Sequence, residues 1–135
     1  MSRFVLDTSA YSHFKRGAAD AVDALSHARW IGVPAVVLGE LLVGFALGRR
    51  RAENERELKT FLDQPVVELV EVSEEVARAW AEIIVALRAA GTPLPTNDVW
   101  IAATAACVGA PVLTYDEHFE RIGRIGVRRL GSPRV

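Results

Sequence analysis

Four of the seventeen acidic residues stand apart from the rest by their surroundings. Asp7 ends the short apolar run Phe4-Val5-Leu6 and is followed by Thr8 and Ser9. Glu40 is the only charged residue between Val33 and Leu47. Asp98 follows Asn97 at the head of an apolar stretch, and Asp116 follows the run Pro111-Val112-Leu113-Thr114 by one residue. Most of the other acids lie in charge-rich or amphipathic stretches such as Glu53-Asn54-Glu55-Arg56-Glu57, where they read as solvated faces. Carboxylates brought to one crevice repel, so such a site is stable at neutral pH only with protons or a cation bound. Oxygen donors alone select a hard ion, Mg²⁺ or Mn²⁺. An ion of that kind lowers the pKa of a bound water and neutralises a phosphodiester oxygen, the chemistry of metal-assisted phosphodiester hydrolysis.

Each acid also has an ordinary alternative. Asp7, Asp98 and Asp116 all sit where a helix begins, and Asp is a good N-cap or Asx-turn residue. Glu40 has no such excuse. A helix apolar nearly all round is expected to be buried, where an unpaired carboxylate costs several kcal/mol or stays protonated. Its alternative is a buried ion pair with an arginine.

The elements that must position these acids alternate along the chain. Phe4 to Leu6 reads as a buried strand, Thr8 to Lys15 as a short helix ended by Gly17, and Ala19 to Arg29 as an amphipathic helix. Trp30 to Val33 is a second strand, and Pro34 suits the first position of a helix reaching Leu47 and stopped by Gly48. Glu53 to Asp63 is a charged helix, Val66 to Val72 a third strand, and Val76 to Ala90 the longest helix. Thr92-Pro93-Leu94-Pro95 is a stiff loop. Thr96-Asn97-Asp98 then caps a helix over Val99 to Val108. Pro111 to Thr114 is a fourth strand, Asp116 to Ile122 a helical turn and Val127 to Leu130 a last strand, with a tail expected to fray. Strands separated by helices, with no tight hairpin, predict an α/β fold with a central parallel sheet of about five strands, covered by helices. In such a sheet the crevice beyond the carboxyl ends of the strands takes the ligand, and Asp7 stands there.

The chain of 135 residues is expected to form a single domain over residues 1–135. Its net charge of −1 points to no particular partner, so a nucleic-acid role must rest on local patches. Cys107 alone excludes an internal disulfide and reads as a core residue. The apolar run at the N-terminus stops at Asp7, too early for a secretory signal. The stretch from Val33 to Leu47 is shorter than the roughly 20 residues of a membrane span. A soluble, cytoplasmic protein is expected. His13 and His27 suggest only helix positions, and His118 reads as a surface or turn residue, with substrate contact as its lesser alternative. Arg49 to Arg51 suit a helix C-terminus, whereas Arg121, Arg124, Arg128 and Arg129 are expected near the crevice as phosphate contacts.

The segments Val5-Leu6-Asp7-Thr8-Ser9, Val37-Leu38-Gly39-Glu40-Leu41, Asn97-Asp98-Val99-Trp100-Ile101-Ala102-Ala103-Thr104-Ala105 and Leu113-Thr114-Tyr115-Asp116-Glu117-His118-Phe119 resemble the four acidic motifs of the PIN domain, in family order. They are most similar to those of VapC-type ribonuclease toxins, and the resemblance covers nearly the whole chain. It implies a three-layer PIN-like fold, Mg²⁺- or Mn²⁺-dependent endoribonuclease activity, a homodimer and inhibition by a small VapB-type antitoxin. By motif, Asp7, Asp98 and Asp116 would ligate metal, with Asp7 and Asp98 the principal ligands. Glu40 would ligate or orient the water. Thr8, Ser9, Asn97 and Thr114 match positions that hold these carboxylates or contact the site. Tyr11, Phe14, Val22, Leu25, Leu42 and Phe45 are expected to offer part of an apolar groove to the antitoxin, and the Val76 to Ala90 region a dimer contact.

Four rivals compete with this reading. An aspartyl-phosphate phosphotransferase of one large class needs a second Asp two residues after the first, where Ser9 stands. A phosphoacceptor domain wants a lysine after a late strand, and the only lysines are Lys15 and Lys59. A non-catalytic interaction module would use the acids as caps and ion pairs. A nuclease acting on DNA shares the metal chemistry.

Overall fold

The computed structural model describes residues 2–131. In chain order it contains β1 (Arg3–Leu6), α1 (Thr8–Lys15), α2 (Ala19–Ser26), β2 (Trp30–Pro34), α3 (Ala35–Leu47) and α4 (Arg51–Leu62). There follow β3 (Val67–Val70), α5 (Glu74–Ala89), α6 (Thr96–Val108), β4 (Val112–Thr114), a 3₁₀ turn (Glu117–Arg121) and β5 (Val127–Arg129). The strands form one sheet in the order β3-β2-β1-β4-β5, and every pairing is parallel. This is the α/β architecture expected of the sequence, with helices flanking the sheet.

Burial explains the order. Val5 and Leu6 of β1 and Val112, Leu113 and Thr114 of β4 are wholly inaccessible, as strands in the middle of a covered parallel sheet should be. β3 lies at an edge and leaves Glu68 and Leu69 exposed. From β1 the chain first moves outward through β2 to β3, then returns to the other side of β1 as β4. The direction of travel therefore reverses between β1 and β4. A crevice opens beyond the carboxyl ends of strands at such a switch point. Asp7 follows β1 directly, and Asp116 follows β4 by one intervening residue.

Two helices close the wall on that side. The Ser73 hydroxyl accepts from the Val76 amide at 3.2 Å and starts α5, while Gly91, with φ 73°, turns the chain away from it. α5 and α6 then pack side by side, and the indoles of Trp80 and Trp100 stack with ring centroids 4.6 Å apart and 11° between planes. Gly109 ends α6 in the left-handed region, at φ 68°.

Several boundaries differ from expectation for local reasons. Pro34 belongs to β2, paired with Val70, and α3 begins at Ala35. α2 stops at Ser26, short of Arg29. α4 begins two residues early at Arg51, where Arg50 forms an ion pair with Glu53 across the first turn. β3 is shorter than expected because its flanks are exposed. α6 begins at Thr96, with Pro95 in the capping position and no side-chain cap, so Asp98 lies within the first turn. The tail expected to fray lies outside the described residues.

The larger correction concerns α3. Its apolar residues are not buried all round: only Val37 and Leu41 are, while Leu42 is 38%, Val43 60% and Leu47 84% exposed. Short β2 and β3 cannot cover a helix of thirteen residues, so its outer face is left uncovered. The same holds in reverse for the expected groove residues. Tyr11 and Leu25 are buried, and Tyr11 and Phe14 pack with Phe61 in an internal aromatic cluster.

Candidate active site

Asp7 is held from two sides. Only 6% of it is exposed, and its Oδ2 accepts hydrogen bonds of 2.7 Å from both Ser9 Oγ and Thr114 Oγ1. Those hydroxyls are fixed in turn. Ser9 Oγ accepts from the Tyr115 amide at 3.1 Å, and Thr114 Oγ1 accepts from the Asp116 amide at 2.9 Å. Asp7 occupies the N-cap position of α1 with extended backbone, yet its side chain makes no capping hydrogen bond to the first turn beyond Thr8. The capping alternative therefore fails for Asp7, and Thr114 ties β4 to β1 through it.

Glu40 is not paired with an arginine either. Its Oε1 accepts from Thr8 Oγ1 at 2.6 Å and its Oε2 from Asn97 Nδ2 at 3.3 Å. The two donors come from the first residue of α1 and the first turn of α6, so Glu40 bridges the mouths of two helices. Asp98 lies in the first turn of α6, where a carboxylate is favoured by the helix dipole. Asp116 is the one acid whose capping alternative survives, since its Oδ1 accepts from the His118 amide at 2.9 Å and starts the 3₁₀ turn.

That turn brings in a residue that sequence reasoning had set aside. His118 Nδ1 lies 3.2 Å from Asp116 Oδ1 and 3.8 Å from Asp98 Oδ2. Asp98, Asp116 and His118 offer ligand atoms within 4.8 Å of one another, the one such group of acids, cysteines and histidines among the described residues. Asp7 and Glu40 stand outside that group but act on it through their charge. The available signal was the spacing Asp116-Glu117-His118, because an Asx turn folds the third residue back beside the first.

Electrostatics agree with crowding. The Asp98 carboxyl is pushed up to about 6, first by burial and then by the charges of Asp7, Asp116 and Glu40, with His118 opposing. Burial likewise raises Asp7, against the lowering effect of the Thr114 and Ser9 hydroxyls and the Thr8 amide, while Glu40 adds to the rise. A half-buried set of carboxylates with mainly oxygen donors, no lysine or arginine against it in any described ion pair, suits a divalent cation.

The arginines do not gather here. Arg121 lines a separate cavity with Glu82, Ala86, Thr92 and Arg124, and none of the four acids borders it. Arg124 pairs with Glu82, and Arg129 with Glu117 and Glu120. Arg128 lines a hollow with Ser2, Arg3 and Phe4, at the opposite end of the strands. The expectation of an arginine cluster at the crevice is corrected: alternation along β5 sends Arg128 and Arg129 to different faces, and acidic neighbours take up Arg124 and Arg129.

The chain belongs to the PIN domain family, whose profile matches residues 4–125. Within that family it is similar to Ribonuclease VapC4 of Mycobacterium tuberculosis, 35% identical over 117 residues, which are 87% of this chain and 88% of that one. Ribonuclease VapC5 of the same organism is 33% identical over 115 residues, 85% of this chain and 84% of that one. Among solved structures, that of VapBC-5 from M. tuberculosis, a member of the VapBC family of toxin–antitoxin systems, superposes with a TM-score of 0.76. The sequences are 29% identical there, over 96% of this chain and 100% of that one.

A pH test of the crowding follows from Asp98. Its folded value of about 6 lies above the ordinary 3.8, so between those values the folded, metal-free protein holds a proton that the unfolded chain releases. The stabilisation is complete below about 3.8, is lost as pH rises through about 6, and does not change above that. Asp98→Asn removes the strain, so in EDTA at pH 7 the variant is expected to be the more stable by ~1 kcal/mol after allowance for solvent screening. The gap should close towards pH 4. Thermal melts of both proteins in EDTA at the two pH values check it, and a gap independent of pH would show that Asp98 carries no such strain.

Proposed function

We propose that this chain is a metal-dependent endoribonuclease and the toxin half of a VapBC-type toxin–antitoxin pair, with residues 1–135 forming one nuclease domain that acts in the cytoplasm. One observation carries the reading: Asp98 and Asp116 meet at the switch point of a PIN fold, with Asp7 and Glu40 close enough to raise Asp98. The 35% identity to a ribonuclease of the VapC group supports RNA as the substrate. Among the described residues no helix is long and apolar enough to cross a membrane.

Asp98 and Asp116 would hold Mg²⁺ or Mn²⁺, with Asp7 contributing a fixed negative charge behind them. Bound there, the ion would supply an activated water and charge neutralisation at the phosphodiester. The chain's own side chains provide the positioning. Ser9 and Thr114 hold the Asp7 carboxylate, and Thr8 and Asn97 hold Glu40 at the entrance, where it can orient the attacking water or accept its proton. Arg121, in its separate cavity, would meet the RNA only beyond the scissile phosphate.

The exposed face of α3 is the better antitoxin surface. Leu41 and Phe45 line a groove of about 190 Å³ with Tyr11, Ser12, Lys15, Arg16, Asn54 and Glu57, and Leu42, Val43 and Leu47 stand exposed on the same helix. An apolar helix face bordered by charged residues suits an amphipathic helix from a VapB-type protein. A homodimer would use α5, whose Val85 is 67% exposed.

Three outcomes are expected. RNA cleavage should need Mg²⁺ or Mn²⁺ and stop in EDTA, and Asp98→Asn should lower the rate by orders of magnitude while circular dichroism stays unchanged. Full activity of that variant without metal would sink the reading. Thr114→Val takes the donor from Asp7 and the acceptor from the Asp116 amide, so its rate should fall as well, at a stability cost of about 1–3 kcal/mol. Phe45→Asp with Leu47→Asp should weaken antitoxin binding measured by calorimetry yet leave RNA cleavage intact, because neither residue lines the hollow that Glu40 and Asn97 share. An unchanged affinity would place the antitoxin elsewhere.

A further inference from the structure

The three histidines of the chain are used differently. His13 turns Nδ1 to the Ser9 carbonyl at 2.9 Å, and His27 turns its Nδ1 to the Asp23 carbonyl at 2.9 Å, each one helical turn back. His118 makes no such bond. Its Nδ1 is buried and lacks a hydrogen-bond partner, although 39% of the side chain is exposed. The exposed part is therefore elsewhere on the ring. Asp116 Oδ1 is 3.2 Å away, within reach, but it lies off the direction in which an Nδ1 hydrogen would point. What the geometry leaves is a buried nitrogen without a hydrogen-bond partner, 3.2 Å from one carboxylate and 3.8 Å from a second.

Spacing gives the second argument. Ligand atoms on adjacent corners of an octahedron with bonds of about 2.1 Å lie about 3 Å apart, and those on opposite corners about 4 Å apart. His118 Nδ1 is 3.2 Å from Asp116 Oδ1 and 3.8 Å from Asp98 Oδ2, between those limits. One ion can therefore share Nδ1 with either carboxylate, and all three ligand atoms lie within 4.8 Å of one another.

We propose that His118 is a nitrogen ligand of the site's divalent cation through Nδ1, so that this site has a mixed nitrogen and oxygen donor set instead of carboxylates alone. This rests on the metal-dependent reading above. Coordination through Nδ1 uses its lone pair, so the ring proton sits on Nε2 in the metal-bound form. An imidazole donor favours transition-metal ions over Mg²⁺, which prefers oxygen. The 3₁₀ turn has a role in this: Asp116 binds the His118 amide, so one acid both faces the ion and aims the nitrogen at it.

The test is spectroscopic and uses the full chain loaded with Mn²⁺. Electron spin echo modulation should show a directly coordinated ¹⁴N, converted to the ¹⁵N pattern when the protein is grown with labelled histidine and abolished in His118→Gln. His13→Gln should leave it in place. Calorimetry should show the Mn²⁺ dissociation constant rising roughly tenfold or more in His118→Gln, with a much smaller change for Mg²⁺. Mn²⁺ binding that depends on Asp98 but shows no coordinated nitrogen overturns the histidine ligand and leaves the metal-dependent nuclease standing. Mn²⁺ binding indifferent to Asp98→Asn overturns both. A His118→Gln protein that misfolds is replaced by His118→Asn, and the labelled wild type carries the nitrogen signal without any variant.

Discussion

The rest of the structure depends on negative charge gathered where, among the described residues, no lysine or arginine forms an ion pair with it. Asp7 is nearly buried at the end of the central strand, and Asp98, Asp116 and Glu40 lie near enough to influence each other. Elsewhere the described acids are treated in the ordinary way. Glu53, Glu55, Glu57, Asp63, Glu74, Glu82, Glu117 and Glu120 each meet an arginine or lysine at the surface. Exposed pairs of that kind add little to stability, but they show that the chain has cations to spend on acids. In the described ion pairs, only His118 faces the crevice.

The fold supplies a different form of compensation. Asp7 and Asp98 both stand at the beginnings of helices, α1 and α6, where backbone amides and the helix dipole favour negative charge by about 0.3–1 kcal/mol each. The reversal of strand order between β1 and β4 opens the crevice, and parallel pairing aligns the strand ends so that Asp7 and Asp116 emerge on one side. Helices α5 and α6, locked by the Trp80–Trp100 stack, set the distance from which Asp98 faces them. A parallel sheet gains its stability from burial on both faces and can tolerate the strain at one edge.

The sequence made the sheet and the acids legible because both are written locally. Buried strands such as Phe4-Val5-Leu6 and Val112-Leu113-Thr114 are short apolar runs, and an acid directly after one can be read without knowing any distant contact. What stayed hidden depends on geometry between elements. The outer face of α3 was read as buried because its composition is apolar, but coverage depends on what lies across from it, and composition says nothing of that. Nearness in sequence to Asp116 puts Arg128 at the crevice, whereas in the sheet it pairs with Leu113 and its side chain lies over the Phe4 ring. His118 was passed over because a single histidine in a turn has many ordinary uses, and only the Asx turn built on Asp116 gives it a direction.

The choice of tethers explains how a strained site can still be well ordered. Ser9, Thr114, Thr8 and Asn97 all donate neutral hydrogen bonds to the carboxylates. A lysine or arginine at any of those positions would fix the acids more strongly and lower their proton affinity. It would also cancel the negative potential for which a divalent cation is drawn to the crevice. Hydroxyl and amide donors fix direction and leave the charge. Each such tether is modest, about 1 kcal/mol net, so the order of the site comes from their linkage. Ser9 holds Asp7 while bound by the Tyr115 amide, and Thr114 holds Asp7 while bound by the Asp116 amide. Displacing one acid therefore disturbs the backbone that carries another. Charge is left unneutralised and position is over-determined, a combination that suits a cation site and comes at the cost of some stability.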